Sequence, residues 1–174
     1  MNTHAMYIRG LGELAKDAQR GEVVSAPIKL AVLNGAVRRL VLAGYQQDPA
    51  PETFHEAVKN FLGCGFDTLQ SVSRYVFQQY RDYLDVDERD IHIASAQQVW
   101  QHIQFNNDPV VMRRPYGDRG VYISIACHCR WEPEHGLQLV MKNGERVTKV
   151  GPYDGHLTHS DAYHDDSLED VIYR

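Results

Sequence analysis

Cys127, Cys129, His135, His156 and His159 are the residues of this chain whose types could hold a metal, because thiolate and imidazole are the ligands of a tetrahedral zinc. The spacing argues for another role. Zinc knuckles use Cys-x-x-Cys, whereas a single residue separates these thiols, and residues two apart in a strand lie on one face. Cys127 and Cys129 thereby extend the apolar row Val121, Ile123 and Ile125, and free cysteines on such a face behave as small hydrophobes. Core packing is the favoured reading. The alternative is a zinc bound by Cys127, Cys129, His135 and His156, as a metal-binding module or a metal-dependent hydrolase.

A second group, Glu132, Glu134 and His135, sits where one strand turns into the next. A carboxylate beside an imidazole can do general acid-base work when a third group orients the ring, and Asp154 or Asp161 would supply that group. The simpler expectation is a polar turn facing water. The segment Asp154 to Asp161, DGHLTHSD, matches neither a phosphate-cradling loop nor the regular alternate oxygen ligands of a calcium loop, and it reads as an ordered surface loop. From His164 the chain runs HDDSLEDVIYR, an acidic end expected to be solvated and able to dock a basic partner through charge complementarity. Asp154, His156, Asp161, Asp165, Asp166, Glu169 and Asp170 are the candidate partner contacts on that reading, and no residue is assigned a catalytic role.

The elements that must position these residues follow from periodicity. Residues 1 to 20 have helical spacing at Leu11, Leu14 and Ala15, weakened by Gly10, Gly12 and Gly21, and predict a short helix. Asn34-Gly35 predicts a two-residue hairpin with arms near 27 to 33 and 36 to 44, setting Val32 opposite Val37 and Ile28 opposite Val41. After Pro49 and Pro51, the residues Phe54, Ala57, Val58, Phe61 and Leu62 predict an amphipathic helix that Gly63 and Gly65 end. A longer helix is expected from Asp67, capped with Gln70, with Leu69, Val72, Val76, Tyr80 and Tyr83 on one face; its aromatics suit core packing better than base stacking. A third is expected from Ser95, with Gln98 in a capping box and Val99, Trp100 and Ile103 facing inward. Beyond Pro109 the period returns to two, and Asn143-Gly144 predicts a hairpin pairing Val140 with Val147 and Leu137 with Val150. The whole reads as one α+β domain over residues 1–174: an N-terminal β-hairpin, central helices, then a C-terminal antiparallel meander.

The 174 residues carry 18 basic and 23 acidic side chains, a formal charge of -5 that repels phosphate backbones. Arg113, Arg114 and Arg119 form the largest local basic patch. Three cysteines, two of them adjacent on one strand face, do not make a disulfide framework and fit a reducing compartment. Met1 to Gly21 lacks the apolar core of a secretory signal, and no segment approaches the roughly 20 apolar residues that span a bilayer. A soluble, cytoplasmic protein is the expectation, with no membrane or nucleic-acid partner.

The run Cys127-His128-Cys129-Arg130-Trp131, then Glu134-His135-Gly136-Leu137-Gln138, Lys149-Val150-Gly151 and Asp154-Gly155-His156-Leu157-Thr158, resembles the C-terminal signature of a bacterial family of small α+β proteins with no assigned function. The likeness extends upstream through Asn60-Phe61-Leu62 and Val99-Trp100, covering the chain from about Gly21 on. It implies the fold and brings no catalytic residues with it. By analogy, such proteins are similar in size and charge to the immunity proteins that bacteria encode beside interbacterial toxins. The expected function is therefore a non-enzymatic binding protein that neutralises a basic toxin domain by occlusion, without a cofactor. A regulatory domain that self-associates through a sheet edge or the Phe54 helix is a further reading.

Overall fold

Short strands at both ends of the chain meet in one sheet, and the helices between them cover it. The computed structural model describes residues 6–84 and 91–174. Strands β1 (Met6–Ile8), β2 (Gly12–Lys16) and β3 (Val23–Val24) come first, followed by β4 (Ile28–Leu30), β5 (Ala36–Arg38) and β6 (Val41–Ala43). Helices α1 (Pro51–Gly63), α2 (Asp67–Gln70) and α3 (Ser73–Leu84) form the middle. Then come β7 (Ile103–Gln104), β8 (Val110–Arg113), β9 (Val121–Cys129), β10 (Glu132–Lys142), β11 (Arg146–Gly151) and the short helix α4 (His159–Tyr163). Nine strands form one mixed sheet in the order β1-β2-β3-β6-β8-β9-β10-β11, with β7 also pairing β9, while β4 and β5 form a separate ribbon. The pair β6–β8 is parallel.

The architecture is thus mixed and strand-dominated: the expected hairpin is present as the separate ribbon β4–β5 and the expected antiparallel meander as β8 to β11, but that meander belongs to a larger sheet, which β6 joins in parallel and which takes in the first strands of the chain. Several local expectations are corrected with it. The segment expected as a short helix is the hairpin β1–β2, because Gly10 and Gly12 take positive φ angles that turn the chain, and Ile8, Leu11 and Leu14 are buried on the sheet. Asn34 and Gly35 do adopt positive φ, but the turn is wider than two residues. Ala31–Leu33 forms a 3₁₀ turn that buries Val32 and Leu33, so Ile28 pairs with Arg38 and Leu30 with Ala36. The second arm ends at Arg38, and Val41 joins the large sheet instead of pairing Ile28.

The helix from Pro51 forms as expected, with Pro51 in its first turn, and buries Phe54, Ala57, Val58 and Phe61 against the sheet while Leu62 is half-buried. The longer helix is interrupted near Ser71. The hydroxyls of Ser71 and Ser73 donate to the carbonyls of Thr68 and Gln70 and compete with the helical ladder. Asp67 lies inside the first turn of α2 and is not its cap. The inward face is nonetheless the expected one, with Leu69, Val72, Val76 and Tyr80 buried. The third helix is a 3₁₀ segment, Ala96–His102, in which the Gln98 side chain accepts from Ala94 N and Ser95 makes no side-chain cap.

Along β9 the apolar row lies on the core face, and both Cys127 and Cys129 are buried there. The hairpin β10–β11 differs in register from a two-residue turn. Lys142 pairs with Arg146, leaving three residues between them, and a bulge after Val140 places Met141 opposite Val147 and Leu139 opposite Val150. Its tip is pressed onto α1: Asn60 Nδ2 donates to Asn143 O at 3.0 Å, and the Cys64 thiol approaches Gly144 O at 3.4 Å. A Cβ on Gly144, whose φ is +68°, would stand 2.1 Å from Ala57 O. Gly144→Ala is therefore expected to destabilise the protein by about 3 kcal/mol, read as a drop in the urea midpoint at constant slope, and a change below about 0.5 kcal/mol would refute the tight docking.

Candidate functional site

Both faces of β9 are covered, and the second cover brings together the residues with the most chemical capacity. Cross-strand partners share a face, so Tyr122, Ser124, Gln138, Val140 and Lys149 line the side of the sheet opposite the main core. Tyr122 and Val140 pack there under Leu157, and Lys149 is fully buried. A buried ammonium needs acceptors, and Lys149 Nζ donates to Gln138 Oε1 at 2.9 Å, Asp154 Oδ1 at 2.5 Å and His156 O at 2.9 Å. Gln138 Nε2 in turn donates to Ser124 Oγ at 2.9 Å. Burial holds the Lys149 pKa below the ordinary lysine value, and the Asp154 carboxylate opposes that shift. The loop expected at the surface is thus fastened to the sheet by its first carboxylate.

From that loop Thr158 caps α4, accepting from Asp161 N at 3.0 Å. His159 is buried beside Val150 and the chain end. Its Nε2 faces two carbonyls, Val150 O at 3.2 Å and Ile172 O at 3.1 Å, so this nitrogen carries the proton and donates, while Nδ1 has no hydrogen-bond partner among the described residues. Val150 N also donates to Ile172 O at 2.7 Å. Tyr173 donates to Asp82 Oδ2 on α3. The acidic end expected to be solvated is in this way laid along β11, although Asp165, Asp166 and Asp170 are exposed.

Arg114 is the buried cation beside α4. Its guanidinium is buried, with Nε and NH2 donating to the two Asp161 oxygens at 2.8 and 2.7 Å, and NH1 and NH2 donating to Glu169 at 2.5 and 2.9 Å. Asp118 Oδ1 lies 3.6 Å from NH1, and Gly117 leaves room for the guanidinium because a Cβ there would stand 2.7 Å from its central carbon. The hydrogen bond and charge of Arg114 hold the Glu169 carboxyl below the usual range. Burial opposes ionisation of Asp118, but hydrogen bonds from Lys142, Gly120 N and Tyr122 bring it down to about 2. Around these groups lies a cleft of about 600 Å³ lined by Arg114, Tyr116, Gly117, Ser160, Asp161, His164, Asp166 and Glu169. Tyr116 and Tyr163, the latter on α4, are among the most exposed large side chains. The cleft wall combines carboxylates with the exposed Tyr116 ring, whereas the Tyr163 ring is covered by the Arg174 guanidinium, 4.2 Å from its centroid.

Most residues singled out in the sequence fall into three places. Asp161, Asp166 and Glu169 line the cleft, with Asp165 and Asp170 on the same segment, whereas Asp154 and the exposed His156 belong to the Lys149 loop. Cys127 and Cys129 lie in the core, where burial raises the Cys127 thiol pKa far above its ordinary value. Among the described residues, the set of three whose ligand atoms fall within 4.8 Å of one another is Glu132, Glu134 and His135, without the thiols or His156. Two of the three arginines of the basic patch are engaged internally: Arg113 makes a bidentate pair with Asp48 at 2.6 and 2.7 Å and Arg114 pairs as above, while Arg119 is exposed. Sequence reasoning missed Lys149, Gln138 and Arg114. A polar side chain in an alternating apolar strand was the available signal for the first two.

Residues 10–157 match the model of a family described as a domain of unknown function, DUF6985, and the chain belongs to that family. No curated protein and no solved structure matches it. The matched span contains Lys149, Asp154 and Arg114, but α4 and the tail that complete the cleft lie beyond it. Among the described residues no helix is long and apolar enough to cross a membrane.

Two outcomes follow from these contacts. Arg114→Met leaves Asp161 and Glu169 facing each other without their cation, and is expected to cost roughly 3 kcal/mol in chemical denaturation; an unchanged midpoint would contradict the pairing. Burial holds the His159 imidazole below its ordinary 6.5, so the unfolded chain takes up this proton first as pH falls. Stability contributed by neutral His159 is then whole above about pH 6.5 and is lost as the pH falls towards the folded pKa. Melting temperature measured from pH 7.5 down to 5 should show this slope in the wild type and a flatter one in His159→Gln. Parallel profiles would rule out the assignment.

Proposed function

We propose that this protein is a non-enzymatic binding protein that occludes a basic partner, an immunity protein whose C-terminal face covers the active-site cleft of a cognate toxin domain. The observation that carries the reading is the Arg114 cleft, where Asp161 and Glu169 share the one guanidinium, Asp118 beside them is paired with Lys142 at 2.6 Å, and Tyr116 stands exposed at the wall. Asp165, Asp166 and Asp170 add exposed negative charge on the same segment. Charge of this sign speeds encounter with a basic surface, and exposed tyrosines are the side chains that most often anchor an interface. Occlusion asks for shape and charge and for no reactive group. It is also consistent that Lys149, His159 and Cys127 are engaged in holding the fold together.

The cleft joins Arg114 and Tyr116, inside the family-matched span, to Asp161, Asp166 and Glu169 beyond it. A recognition surface assembled this way rests on a shared scaffold and takes its charge from the chain end. An acidic face also disfavours phosphate backbones, in keeping with a protein partner.

The test uses the toxin domain encoded beside the gene. Purified together, the two are expected to form a one-to-one complex whose association rate falls about tenfold or more between low and physiological salt. Tyr116→Ala and Asp166→Asn should each weaken it about tenfold, equivalent to about 1.4 kcal/mol, without changing the melting temperature. Cells that lose the gene yet resist that toxin would sink the proposal.

A further inference from the structure

The segment between β9 and the regular part of β10 is folded so that three metal-ligating side chains converge. Glu132 and Leu137 both pair with β9, at Cys129 and Cys127, and the register shift between them throws Pro133 to Gly136 out of the ladder. Gly136 permits this with a φ of +71°, at a point where a Cβ would stand 2.5 Å from Cys127 O. The Glu132 carboxylate draws the excursion back on itself, accepting from Glu134 N at 3.1 Å and from His135 N at 2.8 Å. The ligand atoms of Glu132, Glu134 and His135 consequently lie within 4.8 Å of one another.

Two further observations separate this cluster from an ordinary polar turn. Glu132 is buried, with 4 % of its surface exposed, and among the described residues neither carboxylate has a lysine or arginine ion-pair partner. Two carboxylates brought this close repel each other, and the groups near Glu132 include the imidazole of His135 and the Tyr83 phenol. The distance between Glu132 Oε2 and His135 Nδ1 is 3.3 Å. Two ligands bound to one tetrahedral ion at about 2.0–2.1 Å stand about 3.3 Å apart, so this ion-pair separation is also one that a zinc accepts, while the members of the set up to 4.8 Å apart have to close in on it. Each Glu132 oxygen keeps a lone pair beyond its backbone hydrogen bond.

We infer that Glu132, Glu134 and His135 form a binding site for a divalent transition-metal ion of the zinc type, held by two carboxylates and one imidazole with the remaining position open to water. The nitrogen ligand selects against calcium and magnesium, which take oxygen. The site contains none of the cleft residues and none of the thiols, so it stands independently of the binding function proposed above. The ion neutralises the two carboxylates and ties the excursion at the head of β10 to a single conformation. Its affinity is set by side chains three residues apart at most, two of which, Glu134 and His135, are exposed and can exchange with solvent.

The experiment is titration of the metal-free protein with zinc chloride, followed by calorimetry and by melting temperature. The wild type is expected to take up one ion per chain and to melt higher with zinc, while calcium chloride has no effect. Glu134→Gln and His135→Ala leave the backbone hydrogen bonds to Glu132 in place, so both apo variants should still fold, and each, measured against its own apo melting temperature, should bind zinc at least tenfold more weakly and lose the zinc-dependent shift. Cobalt substitution should give a spectrum without a thiolate charge-transfer band. Absence of zinc uptake, uptake that both variants retain, or a thiolate band would each overturn the site, the last two by placing the ion on other histidines or on the cysteines.

Discussion

A protonated amine with no access to water has to be met by acceptors, and Lys149 imposes this demand from the middle of β11. Gln138 supplies one acceptor from the neighbouring strand. The other two, Asp154 and the carbonyl of His156, lie just beyond the strand, so the chain leaving β11 is bent back over the sheet. That bend carries Leu157 onto Tyr122 and Val140, and it delivers Thr158 to cap α4. The geometry of the C-terminal face follows from one side chain's need for partners.

The same logic continues to the end of the chain. Once α4 is placed, Asp161 meets Arg114, and the buried guanidinium requires the second carboxylate that Glu169 provides. His159 on the inner side of α4 then holds the carbonyl of Ile172 together with Val150 N. Charges that look free in the linear chain are therefore partly committed: Asp161 and Glu169 face an internal cation and still border an open cleft. A surface of this kind is both acidic and preorganised, which suits rapid recognition of a basic partner with little ordering cost.

Much of the element pattern was legible because it depends on neighbours in the chain. The apolar stripe of Phe54, Ala57, Val58 and Phe61 buries as its spacing requires, and the row from Val121 to Cys129 faces the core with both thiols included. The glycine turns were legible as turns, since Asn34, Gly35, Asn143 and Gly144 all take positive φ. Their registers were not, because a 3₁₀ turn after Leu30 and a bulge after Val140 each insert residues that only packing against the rest of the sheet and α1 decides. The strands near residues 6 to 16 differ from the helical spacing of Leu11 and Leu14 for a similar reason: β1, β2 and β3 pair locally, but the core in which these side chains are buried is built from distant segments.

What the sequence determined by itself is the acidic balance, the α1 stripe, the core position of Cys127 and Cys129, and the crowding of Glu132, Glu134 and His135 into one turn, all of which rest on composition or on spacings of a few residues. Only the tertiary structure decided that β6 runs parallel beside β8, that Lys149 is buried, and that Arg114 meets Asp161 and Glu169 across separations of 47 and 55 residues. Contacts of that range are selected by which faces remain to be covered once the sheet has formed, and no local period encodes them.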